Sequence, residues 1–160
     1  MTIFGKKLSA AVIASALACS ATQAQADVTT LTFEIINKTS GPIILNSSRW
    51  DKALAEPGFF DVDPLSEHSF EANYRTNFGY PRKTPATLRE VISYAWGNRE
   101  CTFTTELRVT QSFGLLRPTV TAVRSASATS TGVEDVMCHA RVTEKTDDVP
   151  LNYSVQFSMG

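Results

Sequence analysis

The sequence predicts an all-β protein, an antiparallel β-sandwich of about 8–9 strands with one disulfide. Three observations predict this fold class. Short segments that alternate apolar and polar residues recur along the chain, and turn-forming residues such as Gly97-Asn98 separate them. No stretch of about a dozen residues has a helical period, which disfavours a parallel α/β sheet. Finally, Cys101 and Cys138 both fall within predicted strands.

Nine segments have the pattern of a strand. The last is the clearest, because apolar side chains from Leu151 to Met159 alternate with polar ones. One face of this strand is therefore expected to be buried and the other to face water. The nine predicted strands are residues 28–36, 43–46, 59–62, 69–75, 88–96, 101–109, 119–128, 133–144 and 152–159.

Residues 1–26 have the three parts of a secretory signal peptide. A basic start precedes an apolar run at residues 8–18, and Ala24-Gln25-Ala26 offers the small side chains that a signal peptidase needs. The apolar run is too short to span a bilayer. We expect cleavage after Ala26, which leaves residues 27–160 as a single β-sandwich domain that is periplasmic or secreted.

Charge narrows the range of partners. Loss of Lys6 and Lys7 with the signal lowers the basic count from 15 to 13 against 16 acidic side chains, so the mature chain has a formal charge of −3. A mildly acidic surface without a cluster of Lys and Arg does not attract phosphate backbones, and we expect no nucleic-acid partner. No later segment approaches the ~20 apolar residues of a membrane span, so no transmembrane segment is expected in the mature chain.

The two cysteines that remain after cleavage are predicted to form a structural disulfide. Export places them in an oxidising compartment, where a pair of thiols normally becomes a disulfide. Cys101 is in phase with Phe103, and Cys138 is in phase with Val136 and Ala140, so both are expected on the apolar faces of their strands.

No motif for catalysis or for a cofactor is present in the sequence. The two histidines, His68 and His139, lie far apart, and no further Cys pair accompanies them as a zinc site would need. The chain has no Gly-x-Ser-x-Gly motif and no Gly-rich phosphate loop. We therefore expect a protein that is not an enzyme and that uses neither a metal nor another cofactor.

Long connections rich in aromatic residues are the candidate binding elements. The first contains Trp50, and the second contains Phe78 and Tyr80. Loops on a rigid sandwich often carry the binding function. The alternative is that these aromatic side chains plug the open ends of the sandwich.

Seven segments, among them Ile36-Asn37-Lys38-Thr39-Ser40 and Tyr94-Ala95-Trp96-Gly97, follow one another in a characteristic order: residues 36–40, 43–45, 48–52, 62–64, 69–72, 94–97 and 100–103. In this order they resemble the aegerolysins, a family of small β-sandwich proteins that recognise membrane lipids and often act with a larger pore-forming partner. The similarity covers about residues 31–109. It implies that Trp50, Phe78, Tyr80 and Trp96 contact lipid, since aromatic side chains suit the membrane interface.

The sequence thus leaves three hypotheses, all of them for binding proteins. The first is an exported module that recognises membrane lipids. The second is a periplasmic immunity or inhibitor protein that binds and blocks one protein partner, a toxin or a hydrolase. The third is an adhesive subunit whose alternating last strand, residues 151–159, completes the sheet of a neighbour.

Overall fold

A computed structural model describes residues 27–48, 58–76, 85–113 and 118–160. The predicted signal peptide, residues 1–26, lies outside the described residues. The described chain is all-β, which confirms the predicted fold class. Its eight strands are β1 (Asp27–Asn37), β2 (Ile44–Ser48), β3 (Glu67–Thr76), β4 (Ala86–Trp96), β5 (Arg99–Phe113), β6 (Pro118–Ser130), β7 (Cys138–Lys145) and β8 (Tyr153–Met159).

The strands form two four-stranded sheets. One, with the order β3-β1-β8-β7, is a mixed sheet because β1 and β8 run parallel, with Phe33 opposite Val155. The other, with the order β2-β4-β5-β6, is fully antiparallel. The predicted antiparallel pairing is correct for every described strand pair except β1 and β8. Since β8 has partners on both sides, it is not available to complete the sheet of a neighbour.

The core lies between the sheets and is formed by alternate side chains of each strand. Phe103 of β5 stacks on Phe157 of β8, with 4.7 Å between ring centroids, and Phe33 packs against Phe157 at 6.0 Å. Burying one such ring stabilises the fold by about 2 kcal/mol relative to leaving it in water. The alternation predicted for the last strand is confirmed, because every odd-numbered residue from Leu151 to Met159 is buried.

A disulfide between Cys101 and Cys138 connects the two sheets. It joins β5 to the first residue of β7, and the two Cα atoms are 5.8 Å apart. Cys101 is fully buried and Cys138 is half-buried against the core, so the predicted pairing and the predicted inward orientation are both confirmed.

Two predicted strands differ from the structure. Residues 59–62 do not form a strand, since this segment follows a turn at Gly58 and contributes only the single bridge between Val62 and Ile43. β7 begins at Cys138 instead of 133, because residues 131–137 cross from the antiparallel sheet to the mixed sheet. In this crossing, the amide of Glu134 donates to the carbonyl of Asn98 at 3.1 Å.

The two ends of the sandwich differ in how they are held. We call the end with residues 38–43, the β4–β5 turn and residues 131–137 the disulfide end. There the buried Asn37 side chain donates to the carbonyls of Gly41, Val62 and Asp63 and accepts from the amide and the hydroxyl of Thr39, all at 2.8–2.9 Å. The opposite end carries the 146–152 loop, which connects β7 to β8. Asn37 thus joins residues 39–41 to residues 62–63 at the disulfide end.

Candidate functional site

A polar groove of about 670 Å³ lies on the outer face of the mixed sheet. Its central row crosses all four strands, since Glu71 pairs with Thr32, Thr32 with Ser154, and Ser154 with Glu144. The groove therefore has hydroxyl groups at its centre and a carboxylate on either side. Its lining residues are Thr30, Thr32, Glu71, Glu144, Lys145, Thr146, Asn152, Tyr153 and Ser154.

The polar face follows directly from strand alternation. In β1, Thr30, Thr32 and Glu34 point away from the core because Leu31, Phe33 and Ile35 point into it. Threonine at the two central positions suits a strand, since its branched side chain packs well on a pleated surface while its hydroxyl stays on the outer face.

Hydrogen bonds fix several polar side chains on this face. Asn152 accepts from the amide of Thr30 at 2.8 Å, and the Thr30 hydroxyl donates to Asn73 at 2.9 Å. Beside the groove, Arg141 donates to Gln156 at 2.8 Å, and Gln156 donates to Glu34 at 2.7 Å. The outer face of the mixed sheet is thus a preorganised array of hydrogen-bonding groups.

A second polar cluster lies inside the sandwich, behind the groove. It consists of Glu90, Thr105, Arg124 and Tyr153, and all four side chains are buried. The hydroxyl of Thr105 donates to that of Tyr153 at 3.3 Å, and the Arg124 guanidinium lies 6.0 Å from the centre of the Tyr153 ring. Burial raises the pKa of Tyr153, and the nearby carboxylates of Glu90 and Glu106 add to the rise, while Thr105 and Arg124 oppose it.

Arg124 connects this interior cluster to the wall of the groove. Its guanidinium donates to the carbonyl of Thr146 and lies 3.4 Å from a carboxylate oxygen of Asp147, although the Arg124 side chain is only 2% exposed. Both partners belong to the 146–152 loop, which supplies Thr146 and Asn152 to the groove. Arg124 therefore holds this loop from inside the protein.

Glu90 and Arg124 were not predicted as site residues from the sequence. Strand phase was the signal that could have found them, because Glu90 shares the inward face of β4 with Ile92, and Arg124 shares the inward face of β6 with Ala122 and Ala126. A charged residue at an inward position of a strand is unusual.

The residues predicted to contact lipid are only partly described. Trp50, Phe78 and Tyr80 lie outside the described residues. Trp96 is half-buried at the disulfide end, where the Arg99 guanidinium sits 4.8 Å from its ring centre. Its indole also lies against Gly41, and a Cβ atom at that position would overlap the ring. Trp96 is therefore packed into the rim of the sandwich, and it is remote in the fold from the polar groove.

No protein-family model matches the sequence, and no curated protein matches it either. Within the described ranges, no group of three or more His, Cys, Asp or Glu side chains is placed to hold a metal ion. The same part of the chain contains no helix that is long and apolar enough to cross a membrane. What is established is the architecture, an all-β sandwich of two sheets with one disulfide.

Proposed function

We propose that the chain is an exported, non-enzymatic binding module that holds a single protein partner, as an immunity or inhibitor protein holds the toxin or hydrolase that it blocks. The observation that carries this proposal is the polar groove on the mixed sheet. Its hydroxyl and amide groups can both donate and accept, which suits the peptide groups and polar side chains of another protein.

The charges of the groove indicate what the partner offers. Glu71 and Glu144 are exposed and lie on the two outer strands, about 14 Å apart at about 4.8 Å per strand. Carboxylates at the margins of an interface pair with basic side chains, which steers association and fixes the register of the partner. We expect a partner segment with basic residues at both margins of the groove.

Lipid recognition of the aegerolysin kind is the second candidate, and the two-sheet sandwich is the observation that favours it. The polar groove does not suit acyl chains, which gain little from hydroxyl and carboxylate groups. A lipid site would therefore depend on the aromatic residues Trp50, Phe78 and Tyr80. The two candidates thus use different surfaces.

A matched pair of substitutions tests the groove. Thr32→Arg places a long charged side chain at the centre of the groove, and Thr104→Arg makes the same change at a half-buried threonine on the outer face of the other sheet. The protein is purified from the cells that produce it. We expect one stoichiometric protein partner with the wild type and with Thr104→Arg, but not with Thr32→Arg. Retention of the partner by Thr32→Arg contradicts the proposal.

Vesicle flotation tests the second candidate, which is lipid recognition. We expect no binding of the wild-type protein to liposomes made from the lipids of the producing cells or from eukaryotic lipid extracts. Binding that Trp50→Ala or Tyr80→Ala weakens, without a loss of thermal stability, would support lipid recognition in place of the groove.

A further inference from the structure

Leu65 combines two properties that oppose folding. It follows Pro64 in the turn before β3 and has a φ of 53°, in the left-handed region that favours glycine and asparagine. Its side chain is also 77% exposed, so it contributes little apolar burial to the fold. Neither local conformation nor packing explains a leucine at this position.

Burial of the side chain would explain a leucine with a positive φ, and Leu151 is an example. This residue is the other described non-glycine residue with a positive φ, at 64°, but its side chain is completely buried in the core. Burial offsets the conformational cost at Leu151. Because Leu65 has the same backbone conformation without that burial, its side chain points to a role outside the fold.

Other exposed apolar side chains share the disulfide end with Leu65. Met137 is 67% exposed and Val133 is 95% exposed. Three backbone hydrogen bonds cross the four strand ends between Ser66, the residue after Leu65, and Met137. The amide of Asn37 donates to the carbonyl of Ser66, that of Lys38 to Met159, and that of Gly160 to Met137, all at 2.8–2.9 Å. We call Leu65, Val133 and Met137 the apolar rim.

Acidic residues flank the apolar rim on both sides. Asp63 and Glu67 lie two residues before and after Leu65, and Glu134 and Asp135 follow Val133. All four are exposed, and Glu134 also forms an ion pair with Arg99 at 2.7 Å. Lys38 is a basic residue close to Leu65, and the four carboxylates outnumber it. These carboxylates repel an anionic membrane surface, and they also repel the same acidic end of a second copy of the protein. They attract a protein surface that carries basic side chains.

We propose that the apolar rim is a docking surface for a protein partner, with Leu65 as its anchor. The partner offers an apolar pocket for Leu65, bordered by Lys and Arg side chains that face Asp63 and Glu67. Exposed apolar side chains that enter such pockets dominate the energy of many interfaces. This inference rests on the proposed function, because it assumes a protein partner, but it uses a different surface from the groove.

Photochemical cross-linking in the producing cells tests the docking surface. Met137 is replaced by p-benzoylphenylalanine in the full chain, so that the probe reports on the rim without altering Leu65. We expect one protein adduct whose cross-linked peptide borders an apolar pocket with basic residues. Leu65→Asn should lower its yield about tenfold or more, and so should Asp63→Lys combined with Glu67→Lys. Val123→Asn, a control at a residue 61% exposed on the other sheet, should leave the yield unchanged.

The outcomes separate this inference from the groove. If Thr32→Arg abolishes the adduct while Leu65→Asn leaves its yield unchanged, the inferred docking surface is wrong. The proposed function is unaffected by that result. An adduct with lipid or with a second copy, or no adduct, overturns the docking surface as well. Leu65→Asn is also expected to leave the thermal unfolding midpoint unchanged or to raise it, because asparagine tolerates a positive φ. A fall of several degrees would show that Leu65 serves the fold, which contradicts the inference.

Discussion

The two ends of the sandwich are stabilised by different kinds of interaction. At the disulfide end, a covalent bond joins the sheets and the amide side chain of Asn37 holds Gly41 and residues 62–63 together. At the opposite end, the buried Arg124 guanidinium holds the 146–152 loop beside the buried hydroxyl of Tyr153. The first end is therefore expected to respond to redox state and loss of hydrogen bonds, and the second to loss of a buried charge.

The largest effect is expected from removal of the disulfide. Replacing Cys101 and Cys138 together by alanine should lower the free energy of unfolding by about 4 kcal/mol, because the unfolded chain loses the constraint of a closed loop. Urea denaturation of the wild type and the double variant measures this difference. A loss below about 1 kcal/mol would show that the disulfide end is held mainly by its hydrogen bonds.

The next largest effect is expected at Asn37. Asn37→Ala leaves the carbonyls of Gly41, Val62 and Asp63 and the amide of Thr39 without their side-chain partner, and should cost about 3 kcal/mol. Asn73→Ala is the matched control, since Asn73 is exposed on the outer face of the mixed sheet. Equal losses in the two variants would contradict a central role for Asn37.

At the opposite end, Arg124→Met should cost about 2 kcal/mol, because methionine keeps most of the apolar volume but loses the hydrogen bond to Thr146. Hydrogen exchange should become faster at the amides of Thr146 and Leu151, which close the 146–152 loop. Arg141→Met, at an exposed arginine of β7, serves as the control. Unchanged exchange in the loop would show that Arg124 does not hold it.

The last effect is absent at neutral pH and appears only in alkaline solution. Burial raises the pKa of Tyr94 and of Tyr153, and the carboxylate of Asp61 adds to the rise at Tyr94. Each tyrosine stays neutral in the folded protein while the unfolded chain ionises above its ordinary pKa of 10.0. Their contribution to stability is therefore complete below pH 10 and is lost as the pH rises above it, at up to about 1.4 kcal/mol per pH unit for Tyr94.

Tyr94→Phe and Tyr153→Phe separate these two contributions. Each variant should show a shallower loss of stability above pH 10 than the wild type in urea denaturation at several pH values. We expect the larger change for Tyr94→Phe, since burial and Asp61 both raise the pKa of Tyr94, whereas Thr105 and Arg124 oppose the rise at Tyr153. If a variant loses stability with pH as steeply as the wild type, the tyrosine that it replaces is not a neutral, buried group at that pH.

Much of the fold could be predicted because it depends on local alternation. The period of two from Leu151 to Met159 predicted the buried face of β8, and the phase of Cys101 and Cys138 predicted the disulfide between the sheets. The prediction of a strand at residues 59–62 was wrong for a non-local reason. The aromatic and apolar composition of this segment suits a strand, but no neighbouring strand lies in register beyond the single bridge from Val62 to Ile43.

The candidate site was less predictable, because it depends on which strands become neighbours. Thr32, Glu71, Glu144 and Ser154 are distant in sequence, and each is an ordinary polar residue on the outer face of a strand. Pairing places them in one row. The aromatic residues of the sequence instead predicted a binding role for Trp96, which in the structure packs against Gly41 and Arg99.

The sequence by itself determined the all-β class, the inward and outward faces of most strands and the cysteine pairing, because these follow from side-chain periodicity. Only the tertiary structure decided that β1 and β8 run parallel, that Arg124 reaches the 146–152 loop, and that Leu65 has a positive φ without burial. Each of these depends on contacts between segments far apart in the chain, or on the backbone conformation that such contacts impose.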